Sequence, residues 1–103
     1  MVDWIKTSAQ VQAEALETLK AKICAAIDER IEAEARLLGS RSAAHLASYA
    51  NSSVEAWRNE ALVFIAWRDA CWLAALELLA QAEGSGDVPS VEDVLAQLPE
   101  WGE

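Results

Sequence analysis

Two stretches of this chain, Asp3 to Leu38 and Val54 to Ala82, contain neither glycine nor proline. Both are several times longer than a typical strand and are built mainly from alanine, leucine and glutamate, so each is expected to form a long α-helix. In the first, apolar residues recur at Leu16, Leu19, Ile23, Ile27, Ile31, Ala35 and Leu38. These steps of three and four place them on one stripe of a helix. Glu14, Glu17, Asp28, Glu32 and Arg36 fall on the other faces, with Glu32 and Arg36 in the favourable i, i+4 order. Gly39 then supplies a stop. Unbroken, this helix would run about 50 Å at 1.5 Å per residue, more than one small domain needs. Either the chain breaks near Thr7 to Gln10 and residues 1–10 fold back, or the helix is continuous and self-associates through a coiled coil or bundle. The mean step of the stripe exceeds the strict heptad value, which favours a bundle over a long coiled coil.

Gly39-Ser40-Arg41-Ser42 reads as a turn, with Ser42 as N-cap of a short helix through Ala43, Leu46, Tyr49 and Ala50. Asn51-Ser52-Ser53 ends it, and Ser53 is the candidate cap of the next. The second long segment carries Trp57, Ala61, Phe64, Ile65, Trp67, Cys71, Trp72, Ala75, Leu76 and Leu79, and is apolar on more than one face. Such a helix is central, touching neighbours on both sides, or keeps one face for a partner. Gly84-Ser85-Gly86-Asp87-Val88-Pro89 reads as a flexible link to a last short helix, with Ser90 as N-cap, Asp93 at N3 in a near capping box, and a sticky face of Val91, Val94, Leu95 and Leu98. Pro99 closes that helix and Trp101 follows as an anchor. The expected fold is all-α: a small helical bundle over residues 1–83 and, over 84–103, a flexible link with a C-terminal docking helix.

Only six of 103 residues are glycine or proline and 53% are hydrophobic, which leaves little for strands. The formal charge is −9, and the last stretch, with Glu83, Asp87, Glu92, Asp93, Glu100 and Glu103, holds no lysine or arginine. That balance disfavours nucleic acid, which binds through basic groups, and an anionic membrane surface. No apolar run reaches the roughly 20 residues of a membrane span, because Arg68 and Asp69 interrupt the best candidate. The N-terminus, MVDWIKTS, lacks the parts of a signal peptide. Cys24 and Cys71 lie in helical patterns and read as small core residues of a protein made in a reducing cytoplasm.

No constellation of residues points to catalysis. His45 is the sole histidine and has no evident nucleophile or carboxylate beside it. Adjacent acids such as Asp28-Glu29 and Glu92-Asp93 point to different helix faces and do not make a metal site. Gly84 and Gly86 have acidic neighbours that would repel a phosphate. No enzyme activity and no cofactor are expected.

The five tryptophans need an explanation. Trp67 and Trp72, five positions apart, diverge by about 140° around a helix and must address two sides. Arg58 and Arg68, ten apart, fall within about 80° of each other and could line one edge. Arg68 could also stack on Trp72 or pair with a carboxylate of the first helix. One side of this helix is expected to seal a core that is otherwise largely alanine. The other, with Trp101 or Trp4 nearby, is expected to dock a partner, since tryptophan and arginine are enriched where interfaces are tightest.

Ser48-Tyr49-Ala50, Glu60-Ala61, the run Phe64-Ile65-Ala66-Trp67-Arg68-Asp69-Ala70-Cys71-Trp72, and the closing Pro89-Ser90-Val91-Glu92-Asp93-Val94-Leu95-Ala96-Gln97-Leu98-Pro99 resemble the C-terminal region of small tail-associated proteins of tailed bacteriophages and prophages. About two thirds of the chain takes part, and residues 1–25 do not. The resemblance implies a non-enzymatic tail protein, an assembly chaperone or a minor structural or adaptor component, in the host cytoplasm or the virion, with a tail or fibre protein as partner. Trp67, Arg68, Trp72, Val91, Leu95, Leu98 and Trp101 are the expected partner-binding residues. The extended first helix and the broadly apolar third one point to a homo-oligomer. The alternative is a small acidic phage inhibitor of a host protein complex, against which Lys20, Lys22, Arg30 and Arg36 interrupt the acidic face of the first helix.

Overall fold

The computed structural model describes residues 8–86 and 89–101. It is all-α: α1 (Ser8–Leu37), α2 (Ala43–Ser48), a 3-10 turn (Tyr49–Asn51), α3 (Glu55–Ser85) and α4 (Val91–Gln97), with no strand among the described residues. Residues 1–7, and with them Trp4 and Ile5, lie outside the described residues, and so does the start of the Thr7 to Gln10 break considered above. From Ser8 onward α1 is continuous.

The stripe on α1 is real but occupies its second half. Ile23, Ile27, Ile31 and Ala35 are buried, with Leu19 and Leu38 packed at its ends. Steps of four advance about 40° beyond a full turn, so the buried line winds roughly 120° round the helix between Ile23 and Ala35. That winding lets one helix touch α2, α3 and α4. Gly39, at φ 90, ends α1 in a left-handed conformation: its N–H donates to Arg36 and that of Ser40 donates to Ala35, both at 3.0 Å. These two bonds satisfy carbonyls that the helix end would otherwise leave open.

α3 returns antiparallel to α1, with Lys20 of α1 paired to Glu83 near the end of α3. The hydrogen bond to Glu83 is the main reason the Lys20 ammonium is held above its ordinary value of 10.5, against a smaller opposing effect of burial. The pair therefore favours the fold below that pH and ceases to do so as the lysine deprotonates above it. It is exposed and will be screened by salt. Some twelve residues of α1 precede it, about 18 Å of helix running past the end of α3. Val11 there is half exposed, and the chain measures 64 × 26 × 20 Å.

Charged side chains pin the short helices to the long one. Both carboxylate oxygens of Glu32 accept from the N–H of Ala43, at 3.1 and 3.2 Å, while Ser42 accepts from the N–H of His45 at 3.0 Å. Together they cap the first turn of α2. Glu32 thus serves a helix start rather than the expected pair with Arg36. Arg30 donates to the Leu95 carbonyl at 2.7 Å, holding the last turn of α4. Ser90 and Asp93 complete the capping box at the start of α4, at 3.1 and 3.4 Å.

Three boundaries differ from expectation. Ser53 does not cap α3: the hydroxyl of Ser52 takes the Val54 N–H at 3.0 Å, Val54 is the cap residue, and the helix begins at Glu55. Gly84 and Ser85 belong to α3, because the left-handed position needed to end it falls on Gly86, at φ 81. α4 is no free arm: it packs against α1 and α3 with Val94 and Leu98 buried.

Cys24 is exposed, contrary to its expected core role, while Cys71 is fully buried. Burial pushes the Cys71 thiol above its ordinary value of 9.0, opposed by the charge of Arg30. The folded chain therefore holds this proton more tightly than the unfolded one. Its contribution to stability is complete below about pH 9 and fades as the thiol ionises above it. A maleimide at about pH 8 is expected to add once to the native chain, at Cys24, and twice after denaturation. Intact-mass measurement reads this directly, and native modification of Cys71 would contradict the packing.

Candidate interaction surface

Trp67 and Trp72 do diverge on α3. Trp67 is buried and its indole N–H donates to the Pro99 carbonyl at 3.0 Å. Its ring meets Trp101 edge-on, with centroids 5.5 Å apart, and Phe64 at 5.9 Å. Phe64 and Trp101 close the triangle at 6.1 Å. The thiol of Cys71 also faces the Pro99 carbonyl, at 3.9 Å. This aromatic triangle locks the C-terminal segment onto α3. Trp72 is half-buried at the border of the core.

Most of the residues expected to meet a partner are therefore engaged within the chain. Leu98 and Trp67 are buried, and Val91, Leu95 and Trp101 pack against the core from its rim. Arg68 neither stacks on Trp72 nor reaches α1; its guanidinium bonds to the neighbouring Asp69 at 3.0 Å. Arg58 turns to the Ser52 carbonyl at 3.1 Å, so the two arginines are each held locally.

The surface left for a partner lies on the opposite side of α3. Leu62 is 49% exposed, Val63 60%, Leu73 66% and Leu76 59%, and Ala66 and Ala70 between them and Ala80 beyond are exposed as well. Scattered single apolar residues are ordinary on a protein surface, but a continuous apolar line along one helix is not. Of these residues the periodicity of the sequence drew attention to Leu76 alone. The available signal was the regular spacing from Leu62 to Ala80. The charged residues along it are Asp69, paired to Arg68, and Glu77, exposed at its edge.

A second feature is a cleft of about 200 Å³ between α2 and the start of α3, lined by Leu38, His45, Tyr49, Trp57 and Glu60 among others. His45 meets Tyr49 edge-on at 5.3 Å and Tyr49 meets Trp57 at 5.7 Å. Trp57 is 55% exposed and forms the outer wall of this file of rings. Among the described residues no group of three His, Cys, Asp or Glu could hold a metal ion, and no helix is long and apolar enough to cross a membrane. No protein family, curated protein or solved structure matches this chain, so its role has to be argued from these surfaces.

Proposed function

We propose that this chain is a non-enzymatic interaction protein, an assembly or adaptor component associated with the tail of a bacteriophage. The observation that carries the first part is the apolar line on α3, Leu62 to Ala80, which the chain's own helices leave exposed. A helix presenting such a line is the usual complement of another helix. The setting rests on the resemblance of the Trp67-Arg68-Asp69 helix and the Pro89 to Pro99 closure to small tail-associated proteins. The acidic surface keeps a protein with so much exposed leucine in solution.

The test is a comparison of phage particles made with the natural chain and with a Leu62→Glu, Leu76→Glu double variant, both substitutions lying at exposed positions that the fold does not need. Particle yield is expected to fall at least about tenfold with unchanged helix content, in line with the loss of two interface anchors. Mass spectrometry of the particles then tells an adaptor, present in fixed proportion, from a chaperone that leaves before completion. Full yield from the double variant would overturn the reading.

A further inference from the structure

We propose that the apolar line on α3 is the seam of an antiparallel homodimer, its occupant a second copy of this chain. This rests on the reading above that the line works by protein contact, and it names the partner. Leu62, Ala66, Asp69, Leu73, Leu76 and Ala80 follow one another at steps of four, three, four, three and four, and all six are exposed. That is the strict heptad spacing, which keeps one row of side chains facing a single neighbouring helix. The buried stripe of α1, with its steps of four, is of a different kind.

Which helix fits is decided by the order of large and small residues. Parallel pairing would set every residue against itself. Asp69 would then face Asp69, while Ala66 and Ala80 would face their own copies across voids that cost packing energy. Antiparallel pairing sets Leu62 against Ala80, Ala66 against Leu76, and Asp69 against Leu73. Each layer then joins one leucine to one smaller residue, and the layers have similar volumes along about 27 Å of helix. The two Asp69 carboxylates are separated by about 6 Å along the axis, and each keeps its own Arg68 at 3.0 Å. A half-exposed aspartate at the edge of a seam is tolerable on those terms, whereas two facing each other are not.

The chain exposes 7000 Å² against the roughly 5,700 Å² expected of a compact monomer of its mass, an excess to which the overhanging start of α1 and this face both contribute. Trp72, half-buried at the border of this face, would lie beside its copy near the twofold axis.

Light scattering on the full chain across a concentration series is expected to give twice the mass of 11.2 kDa. Leu73→Asp, which opposes the new carboxylate to Asp69 of the other copy in both central layers, is expected to raise the dissociation constant on the order of 100-fold. Because Leu73 is 66% exposed, helix content should not change. Orientation is read by oxidising cysteine variants in a Cys24→Ser background. A mixture of Ala66→Cys and Leu76→Cys chains is expected to give the mixed cross-linked dimer, and Ala66→Cys alone to give none. Efficient cross-linking of Ala66→Cys to itself would overturn the antiparallel arrangement. A natural chain that stays monomeric at about 100 μM, well above most specific dissociation constants, would overturn the homodimer. The particle-yield experiment would then still judge the wider reading by itself, since the loss of Leu62 and Leu76 acts on any partner.

Discussion

Replacing Trp67 with alanine is expected to lower the unfolding free energy by about 3–5 kcal/mol, the usual range for deleting a large buried ring. Small domains are stable by only about 5–15 kcal/mol, so this single change should bring the chain close to unfolding. The size follows from what the ring does. Trp67 packs against both other rings of the aromatic triangle and also donates a hydrogen bond to Pro99. Its loss leaves a cavity facing Phe64 and Trp101 and removes the indole donor from a carbonyl that the Cys71 thiol only approaches at 3.9 Å. Trp67→Phe separates the two contributions: it keeps most of the ring contact, and the missing donor is expected to cost about 1–3 kcal/mol. Trp57→Ala, at a half-exposed indole, is expected to cost clearly less than Trp67→Ala. Urea denaturation followed by helix content gives all three values. A Trp67→Ala chain within about 0.5 kcal/mol of the natural one, the range of ordinary surface changes, would mean that the triangle does not hold the fold.

Val94→Asp is expected to have an effect of similar size through another route. Val94 is fully buried where α4 meets the core. A carboxylate placed there is cut off from water, and leaving a charge unpaired in such a site costs on the order of 3–5 kcal/mol. The nearby cation of known position is Arg30, already bound to the Leu95 carbonyl at 2.7 Å. Drawing it to the new carboxylate would release that carbonyl and the end of α4 with it. The expected result is an undocked α4: tryptophan emission shifts to the red as Trp67 and Trp101 meet water, and a glutamate-specific protease cuts at Glu92 while α1 and α3 remain helical. Unchanged emission together with resistance to cleavage would contradict the seating of α4 in the core.

The features legible in the sequence are those decided within a few residues. Ser42, Gly39, and Ser90 with Asp93 were identifiable because a cap depends on its own turn of helix, and the isoleucines of α1 because they alternate with charge. α3 offered no such contrast. Apolar on more than one face, it carries one row at helical spacing with Trp67 and Cys71, which are buried, and another with Leu62 and Leu73, which are not, and spacing alone does not rank the two. Its inner face was settled by the return of α4 and Trp101 from the far end of the chain. By pattern Arg30 and Glu32 belong to a solvated face, because their partners, the Leu95 carbonyl and the Ala43 N–H, are main-chain groups that leave no trace in residue type. Gly84 was misplaced for a simpler reason: Gly-Ser-Gly has the composition of a loop, yet the helix needed only the last of the three glycine-region positions to stop. The apolar face of α4 is legible in the sequence, and it packs against the core of its own chain.

The placement of the aromatic triangle also sets the order of events during synthesis. Arg30 waits for a residue 65 positions later, and Trp67 for one 32 positions later. On a translating ribosome α1 and α3 can therefore be complete while Phe64 and Trp67 still lack their cover. The nascent chain holds a half-open sandwich, attractive to chaperones and to other unfinished copies, and closes it only when Pro99 and Trp101 have emerged.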